Sequence, residues 1–203
     1  MDAKHIANII ARAKDDILRE VADRLPRAVG ITAVNHFTQN FRDSGFRDGG
    51  LRPWQKTLRQ RGKGTEAQYG PLTSRRNHLM RSTSFTTAPG QVTIENPVPY
   101  AAIHNEGGDI NTHPRVTDRL RRYAWHMAYS LSGSKGKLSK DLPEEAAKWR
   151  AIALTKKQRL NVRAHIPKRQ FIGDSKELTQ KINRLINESI ERIKNGISAL
   201  TSH

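Results

Sequence analysis

Cysteine is absent from the sequence. That excludes disulfides, thiolate metal sites and a catalytic thiol, and it is compatible with a reducing compartment without requiring one. Apolar material is also scarce. Hydrophobic residues make up 35% of the 203 residues and aromatics 6%, so a core is feasible, but part of the chain is extended, solvated or buried only on assembly. No apolar run approaches the roughly 18 residues of a membrane span. The start, Met1-Asp2-Ala3-Lys4-His5, lacks the apolar core of a secretory signal, and the expectation is a soluble, cytoplasmic product. Acidic side chains are outnumbered, 19 against 36 basic, for a formal charge of +17. Such a field attracts DNA, RNA or an acidic protein surface. The eight-residue phosphate-loop pattern, the Gly-x-Ser-x-Gly nucleophile turn, zinc-finger spacing and RNA-recognition signatures are all missing.

What is present begins with helical periodicity. Ile6, Ile10, Ala13, Ile17 and Val21 predict an amphipathic helix of about five turns. Pro26 either kinks it or sits in the first turn of a second helix, whose stripe runs through Ala28, Ile31, Val34, Phe37 and Phe41. Turn formers at 43–50 break that helix, and Trp54 reads as an anchor that pins the following loop. Residues 59–69 lack periodicity and read as a mobile basic loop. A short helix over 73–82, capped by Thr73 or Ser74, precedes a hairpin of 83–87 and 91–95 around Pro89-Gly90. A helical turn over 100–105 stops at Gly107-Gly108, and a short strand follows over 109–113. Beyond it the sequence predicts a helix over 115–131, a Gly/Ser/Lys loop over 132–140, a helix from Pro143 to Trp149, and strands at 151–154 and 159–166. Asp174 with Glu177 reads as a capping box. It opens a final helix with a stripe of Leu178, Ile182, Leu185, Ile186, Ile190, Ile193 and Ile197, suited to core or subunit packing.

The positive charge is uneven. Residues 111–173 carry 15 Lys/Arg and four Asp/Glu. Arg115, Arg119, Arg121 and Arg122 fall within two turns of one predicted helix, Lys135 and Lys137 on the loop, and Lys156 and Lys157 beside the last strands. These eight are the candidates for contact with DNA or a partner. The nearby aromatics are not spaced as a base-stacking platform, so contact with DNA would run through phosphates without reading sequence. A solvated face or an acidic protein partner is the competing explanation. For chemistry, His104-Asn105-Glu106 with Asp109 and His113 is similar to fragments of His-based nuclease sites. It lacks HExxH spacing and further converging carboxylates. We therefore expect His104 to be a hydrogen-bonded structural residue, with no catalytic residue, metal or cofactor in the chain.

Two runs are distinctive, Tyr100-Ala101-Ala102-Ile103-His104-Asn105-Glu106-Gly107 and Ile166-Pro167-Lys168-Arg169-Gln170-Phe171-Ile172-Gly173. Together with Gly50…Trp54, Gly70-Pro71-Leu72 and Leu79-Met80-Arg81-Ser82, in this order, they resemble the phage virion morphogenesis family, similar to tail-completion proteins of Mu-like and P2-like phages. The resemblance spans roughly residues 31–200 and is interrupted by 111–164, a segment longer than a minimal member needs. Asn77 stands where the family usually has glycine.

The residue patterns and the resemblance give an α+β fold, with long N- and C-terminal helices around a small, mostly antiparallel sheet and a basic helical insertion. One domain, 1–203, would comprise N-terminal helices (1–48), a loop and hairpin core (49–110), the insertion (111–164), and a closing strand with the C-terminal helix (165–203). Trp54, Tyr100, His104, Gly107, Pro167, Arg169, Phe171 and Gly173 would fix the fold. The resemblance implies a non-enzymatic virion part that completes tails or joins them to DNA-filled heads. It would be found in the virion and, during assembly, in the host cytoplasm. Its partners would be other phage head, connector or tail proteins, with nonspecific contact with packaged DNA and no membrane. It would form an oligomeric ring in the virion from a chain that is monomeric in solution. The rival readings are a nonspecific basic nucleic-acid-binding protein and a metal-dependent nuclease around His104.

Overall fold

The computed structural model describes residues 3–61, 64–134 and 136–201. In chain order they form helix α1 (Ala3–Arg19), a π-helical turn (Glu20–Arg24), helix α2 (Leu25–Arg42), strands β1 (Gly45–Arg47) and β2 (Leu51–Pro53), and 3₁₀ turns at Leu58–Arg61 and Thr65–Gln68. Helix α3 (His78–Arg81), strands β3 (Ser84–Ala88) and β4 (Gln91–Glu95), helix α4 (Ala101–Glu106) and strand β5 (Gly108–Thr112) follow. Helices α5 (Asp118–Ser132) and α6 (Glu144–Leu154), strand β6 (Val162–Ile166) and helix α7 (Lys176–Thr201) complete the chain. This is an α+β fold with long helices at both ends. Its β-structure takes the form of three antiparallel two-stranded ribbons, β1–β2, β3–β4 and β5–β6. The chain divides into two compact units, Met1–Gly107 with Pro167–His203, and Gly108–Ile166.

In the first unit, Pro26 lies in the first turn of α2, directly after the π-helical turn. A proline ring clashes with the carbonyl four residues back and offers no N–H. The wider turn absorbs that conflict: the N–H of Leu25 reaches the carbonyl of Glu20, five residues back, and the chain continues as helix. The same turn presents Glu20, buried, to α7. Its carboxylate accepts from Ser189 Oγ at 2.9 Å and from Arg192 Nη2 at 2.7 Å and Nε at 3.0 Å. Burial pushes the Glu20 carboxyl up, but the hydrogen bonds of Arg192 and Ser189 outweigh it, and its pKa lies below the ordinary value.

Helix α2 is the axis of this unit. Ala33, Phe37 and Phe41 recur at every fourth position on one buried face. Ala33 and Phe37 pack with Phe46 and Leu178, and Phe41 packs with Trp54, Leu79, Val98, Ala101 and Phe171, while Ile172 touches both clusters. Gly30 is where the β3–β4 ribbon crosses α2, and a Cβ there would overlap the ring of Phe85.

Several local expectations are corrected. The turn region at 43–50 includes a strand: Phe46 pairs Arg52 and Arg47 pairs Leu51, in a ribbon too short for period-2 alternation to show. The basic loop at 59–69 holds 3₁₀ turns, with Arg59 Nη2 donating to the carbonyls of Gly70 at 2.7 Å and Thr73 at 3.0 Å. Its Gly62 and Lys63 lie outside the described residues. The helix expected over 73–82 is only His78–Arg81 and has no side-chain cap. Asn77 precedes it at φ 46°, the left-handed conformation that glycine adopts freely and Asn tolerates best among other residues. Ser175, not Asp174, caps α7: its Oγ accepts the N–H of Leu178 at 3.3 Å and donates to the carbonyl of Arg47 at 2.7 Å.

In the second unit, β5 and β6 pair from Gly108 with Ile166 to Thr112 with Val162. Residues 151–154, expected as a strand, are the last turn of α6, because a short apolar run has no period of its own and here continues the helix begun at Glu144. Helix α5 starts at Asp118, later than expected, because Thr117 caps it with an Oγ that accepts from the N–H of Leu120 at 3.2 Å. The preceding residues form strand-like bonds instead, Val116 N–H to the Gln158 carbonyl at 2.8 Å and Leu160 N–H to the Pro114 carbonyl at 3.0 Å. Ala124, Ala128, Ala146 and Ala153 are buried. Small side chains let α5 and α6 approach closely.

Candidate functional site

The segment 169–172 makes no ladder in any of the ribbons. Side chains and backbone from three other elements partner five of its backbone polar groups. Asn105 Oδ1, at the end of α4, accepts the N–H groups of Phe171 at 2.8 Å and Ile172 at 3.0 Å. Asn40, on α2, donates from Nδ2 to the Phe171 carbonyl at 3.1 Å and accepts the Arg47 N–H at 3.2 Å. Trp54 donates from Nε1 to the Gln170 carbonyl at 2.9 Å. The Arg169 N–H donates to the His104 carbonyl at 2.8 Å, and its Nε donates to the Gln55 carbonyl at 3.0 Å. Phe171, 1% exposed, packs its ring tilted against that of Phe41 with centroids 4.9 Å apart, and Phe41 meets Trp54 edge-on at 5.6 Å.

Trp54, His104, Arg169 and Phe171 are thus brought together. Gly107 ends α4 at φ 75°, with its N–H on the Ile103 carbonyl. Gly173 sits at φ 156°, and a Cβ there would overlap the Gln170 amide. Pro167 is half-buried at the start of the segment. Tyr100 is exposed, its ring edge-on to His104 at 5.9 Å. The sequence reading missed Asn40 and Asn105, the two residues that hold most of the segment's backbone. Asn40 did leave a signal, a polar side chain on the face of α2 that carries Phe37 and Phe41.

His104 was expected to be hydrogen-bonded through its side chain. Instead its Nδ1 is buried without a partner, and the bond it makes is through its carbonyl. Burial, then the Arg169 cation, pushes the His104 pKa below its ordinary value. Burial also lowers that of Arg169. Lys168 and Glu106 form an exposed pair at 3.4 Å. Among the described residues, no group of three His, Cys, Asp or Glu side chains is placed to hold a metal ion, and no helix is long and apolar enough to cross a membrane.

The cationic candidates fall in the second unit. Arg115, Arg119, Arg122, Lys137, Lys156 and Lys157 are exposed. Arg121 is half-buried and committed: its Nη1 donates to the carbonyls of Thr155 at 2.6 Å and Ala153 at 3.2 Å, closing the end of α6. Arg115 lies in a β-bridge opposite Arg159, ahead of the helix. Lys137 is on the loop joining α5 to α6, at the far end of the helical hairpin from Lys156 and Lys157. Lys135 lies outside the described residues.

No curated protein and no solved structure matches the chain. A family model does, over residues 1–191, nearly the whole length and including both signature runs. The chain belongs to the phage virion morphogenesis family.

Proposed function

We propose that this protein completes the phage tail or joins it to the DNA-filled head, as a structural subunit that makes and breaks no covalent bond. Membership of the family gives the coarser role, a structural part in the assembly of a phage virion. The observation that carries the finer reading is the use made of the signature runs. Asn105, Arg169 and Phe171 are spent on backbone hydrogen bonds and core packing, so these runs build a scaffold and leave function to the surfaces around it.

Those surfaces suit assembly. Ile6, Ile10, Leu18, Val21 and Ile31 are exposed on the N-terminal helices, and Ile186, Ile190 and Ile197 on α7. Apolar side chains in such density favour contacts between subunits. A contact repeated head to tail closes into a ring where its rotation closes, and an oligomeric ring assembled from chains monomeric in solution fits this reading. The protein would act in the virion after passing through the host cytoplasm, with head, connector or tail proteins as neighbours. Deleting the gene in an inducible lysogen tests it. Electron microscopy of the lysate should show filled heads and separate tails, restored to joined particles by the gene supplied in trans. Normally joined, infectious particles without the protein would end the proposal.

A further inference from the structure

Cations distant in sequence converge at one end of the second unit. Helices α5 and α6 run antiparallel, since Arg121, near the start of α5, binds carbonyls at the end of α6. The bonds between 114–116 and 158–160 close the same end, where Arg115 faces Arg159 across a β-bridge. Arg115, Arg119, Lys156, Lys157 and Arg159 are therefore gathered there. All five are exposed, and none is in an ion pair among the described residues. Like charges placed directly opposite destabilise a ladder. The fold holds Arg115 opposite Arg159, whose Nη1 donates to the His113 carbonyl at 3.3 Å, and among the described residues no ion pair neutralises either charge, an arrangement an external anion would relieve.

We propose that this end of the helical hairpin binds the phosphate backbone of double-stranded DNA without sequence preference. An acidic protein surface is the other source of anions, and the observations favour DNA. Lysine is depleted in protein–protein interfaces and aromatic anchors are enriched, with arginine common to both kinds of partner, and the five side chains gathered here include two lysines and no aromatic. Duplex DNA supplies a charge about every 1.7 Å, which a cluster of exposed cations neutralises by releasing counterions. The inference does not rest on the assembly role and would hold or fail independently of it.

The test is fluorescence anisotropy of the full-length protein with a random duplex of about 25 base pairs, over roughly 50–300 mM salt. The logarithm of affinity should fall linearly with the logarithm of salt. Replacing Arg115, Arg119, Lys156 and Lys157 together by Ala should weaken binding at least ~10-fold at physiological salt and flatten the slope by about 3 to 4. Replacing Lys56, Arg75, Arg76 and Arg81 by Ala removes the same charge from the first unit and should change the slope by less than about 1. Circular dichroism melts confirm that both variants fold. Three results would overturn the proposal: equal loss in the two variants, which would make net charge alone responsible; no binding at the lowest salt; or polyglutamate displacing the labelled duplex as well as unlabelled duplex does.

Discussion

Asn105 serves two backbone donors with one oxygen. Asn105→Ala should cost roughly 3 kcal/mol, since it strands two donors largely removed from water, and a lowered urea midpoint would register it. Asn105→Asp keeps the acceptor and should cost clearly less. The two inward histidines behave oppositely, because they are already unsatisfied. His36 is 2% exposed with both ring nitrogens unpartnered, beside Phe37, and His104 has a buried, unpartnered Nδ1. Burial, then Lys181, depresses the His36 pKa below its ordinary 6.5, and burial with Arg169 does the same for His104. Below about pH 6.5 the unfolded chain takes up protons that the folded chain refuses. Their contribution to stability is full above that pH and is lost as pH falls toward the depressed values. His36→Leu should therefore raise the thermal midpoint more at pH 5 than at pH 8. An equal rise at both would show that His36 does not titrate as burial dictates.

At the scale of elements, helix ends decide boundaries that periodicity left open. Arg121 holds the terminal carbonyls of α6 from a neighbouring helix. Arg121→Ala should fray that turn, and amide exchange across 152–155 should speed by about 10-fold, the equivalent of roughly 1.4 kcal/mol. Unchanged exchange there would mean the capping bonds contribute nothing. The stripes of α2 and α7 were legible because apolar side chains recur at helical spacing over many turns, although of the α7 stripe Leu178 and Ile182 reach the core while Ile186, Ile190 and Ile197 stay exposed, as does Ile31 on α2. The β1–β2 ribbon was not, having three residues per strand. Neither was the strand-or-helix identity of 151–154, since four apolar residues satisfy both periods. The cap of α7 moved one residue, from Asp174 to Ser175, because the Arg47 carbonyl on β1 fixes the serine hydroxyl, and that partner lies 128 residues away in sequence.

At the scale of the whole molecule, the exposed isoleucines of α1 and α7 bear on assembly. The subunit role proposed above expects Ile10→Glu with Ile190→Glu to reduce self-association at high protein concentration, read by sedimentation velocity. The melting midpoint should barely shift, since Ile10 is 63% and Ile190 43% exposed. Unaltered association in the double variant would send the subunit contact elsewhere on the surface. Reduced association that also leaves heads and tails unjoined in the lysogen would tie the contact to particle completion.

The sequence by itself determined the α+β class, the long terminal helices, the β3–β4 hairpin and the family, because amphipathic periodicity, turn residues and ordered motifs are local properties of a chain. Only the tertiary structure decided which groups the motif residues bind. The backbone of 169–172 finds its hydrogen-bond partners on α2, α4 and the loop after β2, at separations no local pattern encodes. The same holds for the cationic end of the helical hairpin: residues 115–119 and 156–159 become neighbours only when α5 and α6 pack through their alanines and Arg121 closes the turn.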